Sequence, residues 1–287
     1  MSNRSENVTP ELLRRWGMPD PGTSKKTRGQ IVVVGGSRRT PGAVILAGEA
    51  GLRVGAGRLA CAVPGSVGVE LGLAVPEAAV FTLPDDSAAP FEGDVREAIE
   101  EADVVLLGPG FDDPAETRET LLAAADCAIG CLVLDAYALG ILPDVPRTTL
   151  PTGLVLTPNE EEAAILLGRE LGGDRGADLR EIARRYDAVV ACYGDIATPD
   201  GERWEVSAGG PGLGTSGSGD VLAGAVAGVV ARGVDPARAA VWGTWVHARA
   251  GDRLTDRTGI GFLARDILPE LTVALNEVVS PAGEPSD

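Results

Sequence analysis

The chain is short of cations. It has two lysines, Lys25 and Lys26, a single histidine, His247, and 25 basic against 42 acidic residues, for a formal charge of −17 at pH 7. A surface of that sign argues against nonspecific binding to nucleic acid or an anionic membrane, so neither partner is expected. One histidine excludes a metal centre built on clustered imidazoles and leaves a Ser-His-Asp triad only one candidate. His247 falls among Trp242, Trp245 and Val246, where a buried, hydrogen-bonded histidine is the simpler reading. No apolar run reaches the about 18–20 residues of a membrane helix. The first stretch, MSNRSENVTPELLRRWG, has no hydrophobic signal core, so the cytoplasm is the expected location. Aromatics make up only 4% of the chain, and the 44% hydrophobic fraction therefore comes mainly from Ala, Val and Leu, which suits closely packed helices on a sheet. Cys127 and Cys131 are spaced C-x₃-C with no second pair or nearby histidine, so these and Cys61 and Cys192 read as buried or free thiols rather than zinc ligands.

Strand-like apolar runs alternate with helical patterns along the 287 residues. QIVVVGG (30–36), RLACAVP (58–64), DVVLLGPG (103–110), CLVLDAYA (131–138), GLVLTPN (153–159) and DAVVACYG (187–194) read as buried parallel strands. Helices are expected over 42–57, 160–168, 178–186, about 219–232 and about 236–254, and a hairpin over 198–207 with its turn at Asp200-Gly201. This alternation predicts an α/β fold with a mostly parallel central sheet covered by helices on both faces. A single domain over 1–287 is the simplest division, with 1–27 and 280–287 as loose ends. Glycines and polar residues recur where strands end, at Gly35-Gly36-Ser37, Gly108-Pro109-Gly110, Asp135, Asn159 and Gly194. Ligands of open α/β sheets bind at those carboxyl ends.

The most specific segment is GTSGSGD (214–220), which runs directly into VLAGAVAGVVARG. A loop of Gly, Ser and Thr brings backbone N–H groups close to an anion at the start of a helix. The bland reading is a glycine-rich helix start with an acid in its first turn. The chemical reading has the amides of Gly217, Ser218 and Gly219 holding charge on a phosphoryl group while Asp220 acts as a base toward an approaching hydroxyl. Asn159 and Glu162 likewise have two readings, as the capped start of a helix or as a site for Mg²⁺ held through water. The two readings can coincide.

The Gly-Asp ending of this loop resembles the signature of the ribokinase-like kinases. Further segments resemble one branch of them, the NAD(P)H-hydrate dehydratases: VVVGGSRRTPGAVILAGEAGLRVGAGRLACAVP (32–64), LLGPGF (106–111), LVLDAYAL (132–139), LTPNEEEAAILLG (156–168), GTSGSGDVLAGAVAGVVARG (214–233) and the tail 241–271. The resemblance implies a ribokinase-like fold and repair of hydrated NADH or NADPH. In that reaction ADP or ATP phosphorylates the ring hydroxyl, and phosphate then leaves. Carried over by position, Ala43, Gly110, Asn159 and Asp220 would meet the hydrated nicotinamide. Tyr193, Gly194, Asp195 and Gly219 would meet the adenine nucleotide, with Mg²⁺ beside Glu162 and Asn159. A homo-oligomer is also expected.

The chain departs from the family pattern at three places. Thr157-Pro158-Asn159-Glu160-Glu161-Glu162 replaces Thr-Pro-His-Pro-Gly-Glu and creates the Asn-x-x-Glu pattern of sugar kinases. Cys192-Tyr193-Gly194 replaces a Lys-Gly element, and Asp135-Ala136-Tyr137 replaces Asp-Ala-Asp. Two alternatives therefore stay open at this point, a kinase of a small hydroxylated substrate and a nucleotide-binding homologue without catalysis.

Overall fold

The computed structural model describes residues 5–20 and 22–279. Its strands are β1 (Glu6–Asn7), β2 (Gln30–Val34), β3 (Arg58–Val63), β4 (Ala78–Thr82), β5 (Val104–Leu107), β6 (Cys131–Leu134), β7 (Gly153–Leu156), β8 (Val189–Cys192), β9 (Asp195–Ala197) and β10 (Arg203–Glu205). They form one ten-stranded sheet in the order β1-β10-β9-β8-β7-β6-β5-β2-β3-β4. The run from β8 to β4 is parallel throughout, and β9 and β10 add antiparallel strands at the other edge.

The period of two along each strand separates two cores. Ile31, Val33, Leu106 and Val133 enter one, and Val32, Val34, Leu107 and Leu134 enter the other. Both faces are therefore apolar, which is why these strands read as continuous hydrophobic runs. The helices are α1 (Pro10–Trp16), α2 (Gly42–Arg53), α3 (Gly68–Ala74), α4 (Gly93–Glu100), α5 (Pro114–Ala125), α6 (Tyr137–Ile141), α7 (Glu160–Leu167), α8 (Arg175–Tyr186), α9 (Ser218–Ala231), α10 (Pro236–Thr258) and α11 (Ala264–Val279). Residues of α2, α9, α10 and α11 fill the first core, and residues of α5 to α8 fill the second. Among the described residues no helix is long and apolar enough to cross a membrane.

The start of the chain differs from expectation. Residues 5–16 are not a loose end: β1 pairs with β10, Thr9 caps α1 through Leu12 N at 3.2 Å, and Leu12 and Leu13 are buried. A seven-residue helix with charged residues beside two leucines gives too little periodicity to be read from sequence, and its stability comes from packing. The other expected loose end, 280–287, lies outside the described residues. The segment 187–194 ends as a strand at Cys192, because Tyr193 (φ 46°) and Gly194 (φ 90°) form a two-residue turn into β9. The hairpin read over 198–207 instead pairs β9 with β10 around Gly201 (φ 99°).

Helices α2 and α9 lie backbone to backbone. A Cβ on Gly224 would stand 2.0 Å from the Ala47 carbonyl oxygen, and one on Gly228 would stand 2.5 Å from that of Gly51. Both obstacles are main chain, so neither can rotate away. Gly224→Ala should therefore destabilise the protein by about 1–3 kcal/mol, the range of overpacked cores. Gly140→Ala, in α6 with open space around it, should stay within about 1 kcal/mol of the parent. Urea unfolding of the two variants checks the difference. Equal midpoints would mean that α2 and α9 are not in contact.

Candidate active site

The glycine-rich loop enters α9 through Gly217, which caps the helix with φ 90° and no side-chain cap. Glycine is required there twice over. The left-handed backbone disfavours a side chain, and a Cβ would lie 2.6 Å from Leu46 Cδ1 on α2. The amides at this helix start divide unevenly. Ser218 N–H donates to the Thr215 carbonyl at 3.1 Å, whereas those of Gly217, Gly219 and Asp220 have no backbone acceptor among the described residues. Three open amides with the positive end of a helix form a place for an anion. Of the expected 217–219 amides, that of Ser218 is thus engaged, and the amide of Asp220 is open as well.

Asp220 is in the first turn of α9 with its carboxyl half-buried, and burial raises its pKa from 3.8 to about 6. It lines a cavity of about 600 Å³ at the carboxyl edge of the sheet. Successive strand ends contribute Asp135 after β6, Thr157 and Asn159 after β7, and Tyr193 and Gly194 after β8. Gly209, Gly210, Pro211 and Leu213 form another wall, and Thr244, His247 and Ala248 of α10 a third.

Three acids share this space. Asp135 is fully buried and accepts a 2.7 Å hydrogen bond from Thr157 Oγ1. Burial, then the charges of Asp220 and Glu162, push its pKa well above the usual carboxylate range. Burial also raises Glu162, with Asp220 adding to the effect. The corner holding Asp135 is tightly built. Ala136 has φ 52°, and a Cβ on Gly108 would meet the Asp135 carbonyl at 1.9 Å. Strain of this kind gathers at functional positions. Among the described residues no lysine or arginine lines the cavity.

Asn159 and Glu162 form a capping box on α7: Asn159 Oδ1 accepts from Glu162 N and Glu162 Oε2 accepts from Asn159 N, both at 2.9 Å. The helix-start reading is thus present, and both side chains line the cavity as well. Among the described residues no three His, Cys, Asp or Glu side chains converge closely enough to ligate one ion directly.

Of the residues singled out from sequence, the structure brings Gly217, Ser218, Gly219, Asp220, Asn159, Glu162, Tyr193 and Gly194 to this one cavity. Asp195 lines a neighbouring groove instead, with Arg175 3.6 Å away. Arg175 also holds Glu160 at 2.7 Å and sits 5.8 Å from the centre of the Tyr193 ring. Ala43 and Gly110 do not line the cavity. They meet at the switch point between β2 and β5, where a Cβ on Gly110 would lie 3.1 Å from that of Ala43. Thr157, the 209–213 wall and Thr244 were missed by sequence reasoning. The Gly209-Gly210 pair was the one available signal of a loop passing close to a ligand.

The NAD(P)H-hydrate dehydratase family model matches residues 31–272. The ADP-dependent (S)-NAD(P)H-hydrate dehydratase of Xanthomonas campestris is 42% identical over 287 residues, covering 96% of this chain and 98% of that protein. The chain belongs to the NAD(P)H-hydrate dehydratase family.

The solved structures agree on the fold. A ribokinase-like superfamily protein from Enterococcus faecalis superposes with a TM-score of 0.84 at 24% identity, covering 96% of this chain and 97% of that one. An ADP/ATP-dependent NAD(P)H-hydrate dehydratase from Bacillus subtilis, co-crystallised with ATP/Mg²⁺ and soaked with CoA, superposes with a TM-score of 0.80. It is 25% identical, and the match covers 96% of this chain and 99% of that one. The fold is ribokinase-like, an open α/β sheet with its cavity at the carboxyl ends of the strands. Arg175 lies beside the Tyr193-Gly194 turn.

The raised pKa of Asp220 has a consequence for stability. Its carboxyl binds a proton more tightly in the folded state (about 6) than at the ordinary value of 3.8. The associated stabilisation is present below pH 3.8 and lost as pH rises through about 6, so the charged form burdens the fold at neutral pH. Asp220→Asn should be more stable than the parent at pH 7–8 by on the order of 1–3 kcal/mol, with the gap closing below about pH 4. Urea unfolding of both proteins across this range provides the measurement. A constant gap, or none, would leave Asp220 with an ordinary pKa.

Proposed function

We propose that the chain dehydrates hydrated NADH and NADPH with an adenine nucleotide as phosphoryl donor. The observation that carries this reading is the position of Asp220, a half-buried carboxyl with a pKa near 6 beside open helix-start amides. Open amides alone suit any phosphate ligand. A base among them suits a hydroxyl that must lose its proton while its oxygen attacks phosphorus. The Xanthomonas campestris relative is ADP-dependent by name, and the Bacillus subtilis enzyme was co-crystallised with ATP/Mg²⁺. Both support an adenine nucleotide as co-substrate.

In this mechanism Asp220 accepts the proton of the hydrate hydroxyl, and the freed oxygen bonds to the terminal phosphorus of the nucleotide. The bond from that phosphorus to its bridging oxygen breaks, so AMP leaves from ADP, or ADP from ATP. The amides of Gly217 and Gly219 and the start of α9 hold the charge on the transferred group. The ring nitrogen lone pair then expels phosphate as the C–O bond breaks, and loss of a proton from the adjacent carbon restores the reduced nicotinamide. A base with a pKa near 6 is charged at neutral pH and still a competent proton acceptor.

Ala43, Gly110 and Asn159 are assigned to the hydrated nicotinamide, and Tyr193, Gly194, Asp195 and Gly219 to the nucleotide. Mg²⁺ fits the donor set: the hard oxygens of Glu162 and Asn159 line a cavity in which, among the described residues, no lysine or arginine stands to meet a polyphosphate. Glu162, with one oxygen in the capping box, keeps a second for a magnesium-bound water, and Asn159 stands beside it. When bound, the ion supplies the positive charge that the phosphates lack here. The cytoplasm is the assigned location, in keeping with four buried free cysteines.

Purified protein incubated with hydrated NADH and ADP or ATP should restore the near-ultraviolet absorbance of the reduced cofactor and release inorganic phosphate in step. A stable phosphorylated product from a sugar, with no restored absorbance, would favour a kinase instead. Asp220→Asn should lower kcat by at least about 10²-fold, the scale of lost general-base catalysis. Near-normal turnover in a folded variant would remove Asp220 from the mechanism. Glu162→Gln should raise the Mg²⁺ concentration for half-maximal rate several-fold, since removing one charge weakens such a site without abolishing it. Superimposable Mg²⁺ curves would reduce Glu162 to a helix cap.

A further inference from the structure

Ser218 occupies the first position of α9, and its hydroxyl meets the one imidazole of the chain. Ser218 Oγ lies 3.1 Å from His247 Nε2, and both residues are buried in the wall of the cavity. One turn earlier on α10, Thr244 lines the same wall with a buried hydroxyl that has no hydrogen-bond partner among the described residues. A polar wall of this kind would be costly in an apolar core and is matched to a polar occupant.

Burial lowers the His247 pKa to about 4, so the ring is neutral in the physiological range, with one nitrogen donating and the other accepting. Two arrangements of the pair follow. With Nε2 bare, Ser218 donates its proton to the imidazole and turns oxygen lone pairs toward the anion site, which is repulsive. With Nε2 protonated, the imidazole donates to Ser218 Oγ, and the hydroxyl proton is free to point into the cavity. Only the second arrangement adds a donor to the anion site, at the residue whose amide is withdrawn to the Thr215 carbonyl.

We propose that His247 is a positioning residue that, as the Nε2–H tautomer, donates to Ser218 Oγ and thereby makes the Ser218 hydroxyl a hydrogen-bond donor to the transferred phosphoryl group. The inference rests on the anion-site reading given above. No bond to Ser218 forms; its hydroxyl takes the place of its engaged amide.

Because His247 is the only histidine, its ring nitrogens are the only imidazole signals of the ¹⁵N-labelled full-length protein. At neutral pH with ADP and Mg²⁺ they should report the Nε2–H tautomer. The Nδ1–H tautomer, or an imidazolium, would overturn the proposal. In kinetics, Ser218→Ala and His247→Leu should each lower kcat by about 10²-fold, the scale of one lost oxyanion donor, with a smaller change in the KM for nucleotide. His247→Gln, whose amide nitrogen reaches the Nε2 position, should recover most of the loss. The double variant Ser218→Ala/His247→Leu should be no slower than Ser218→Ala alone. Additive losses, or full kcat in His247→Leu, would contradict an action through Ser218. Should His247→Leu fail to fold, Ser218→Ala and the tautomer still decide the matter. A wild-type protein without dehydratase turnover would sink the functional reading, while the tautomer would be read in the same sample.

Discussion

The close approach of α2 and α9 is the constraint on which the rest of the site depends. Small residues along both helices, Ala47 and Gly51 on one and Gly224 and Gly228 on the other, let main chain meet main chain. That contact fixes where α9 begins, and the place where α9 begins is where the open amides and Asp220 stand. The same contact sets Leu46 against Gly217, so the turn that exposes the amides is held by a neighbouring side chain rather than by a cap of its own. A longer residue at either interface would move the anion site relative to the strand ends that supply Asp135, Thr157 and Asn159.

The electrostatics of the cavity follow from the chain's shortage of basic residues. Among the described residues no lysine or arginine stands in the wall of the cavity, and three acids line it. Asp220 raises the proton affinity of both Asp135 and Glu162, and Glu162 raises that of Asp135. Such a cavity repels a polyphosphate unless positive charge comes with it, and the helix start alone supplies only a partial charge. On the proposed reading a divalent cation would accompany the nucleotide, and Asp220, raised by burial to about 6, stands close enough to neutrality to exchange a proton. Arg175, next to Tyr193, is already paired with Glu160.

Much of this was legible in the sequence, for reasons that can be named. The parallel strands are buried on both faces, so β2 and β5 stand out as unbroken apolar runs, and the glycines after them mark the edge where ligands bind. The edge strand β4 and the short helix α1 were not legible, because their stability comes from neighbours rather than from their own periodicity. At the site, GTSGSGD could be read because a glycine-rich run before a helix is a local pattern, and Gly217 within it is demanded by its left-handed backbone and by Leu46. The withdrawal of the Ser218 amide and the capping box at Asn159 depend on atoms that only the folded chain positions. The Ser218–His247 pair spans 29 residues, and no local pattern announces it. Ala43 and Gly110, expected beside the nicotinamide with Asn159 and Asp220, stand against each other at the switch point and outside the cavity that holds Asp220.

The central claim is that burial at the start of α9 gives Asp220 the proton affinity of a base working near neutral pH. Carboxyl ¹³C signals of the aspartate-labelled protein, followed as a function of pH, test it directly. The one signal absent from the Asp220→Asn spectrum should titrate with a midpoint of about 6 in the parent. A midpoint for that signal in the ordinary range, near about 4, would contradict the account.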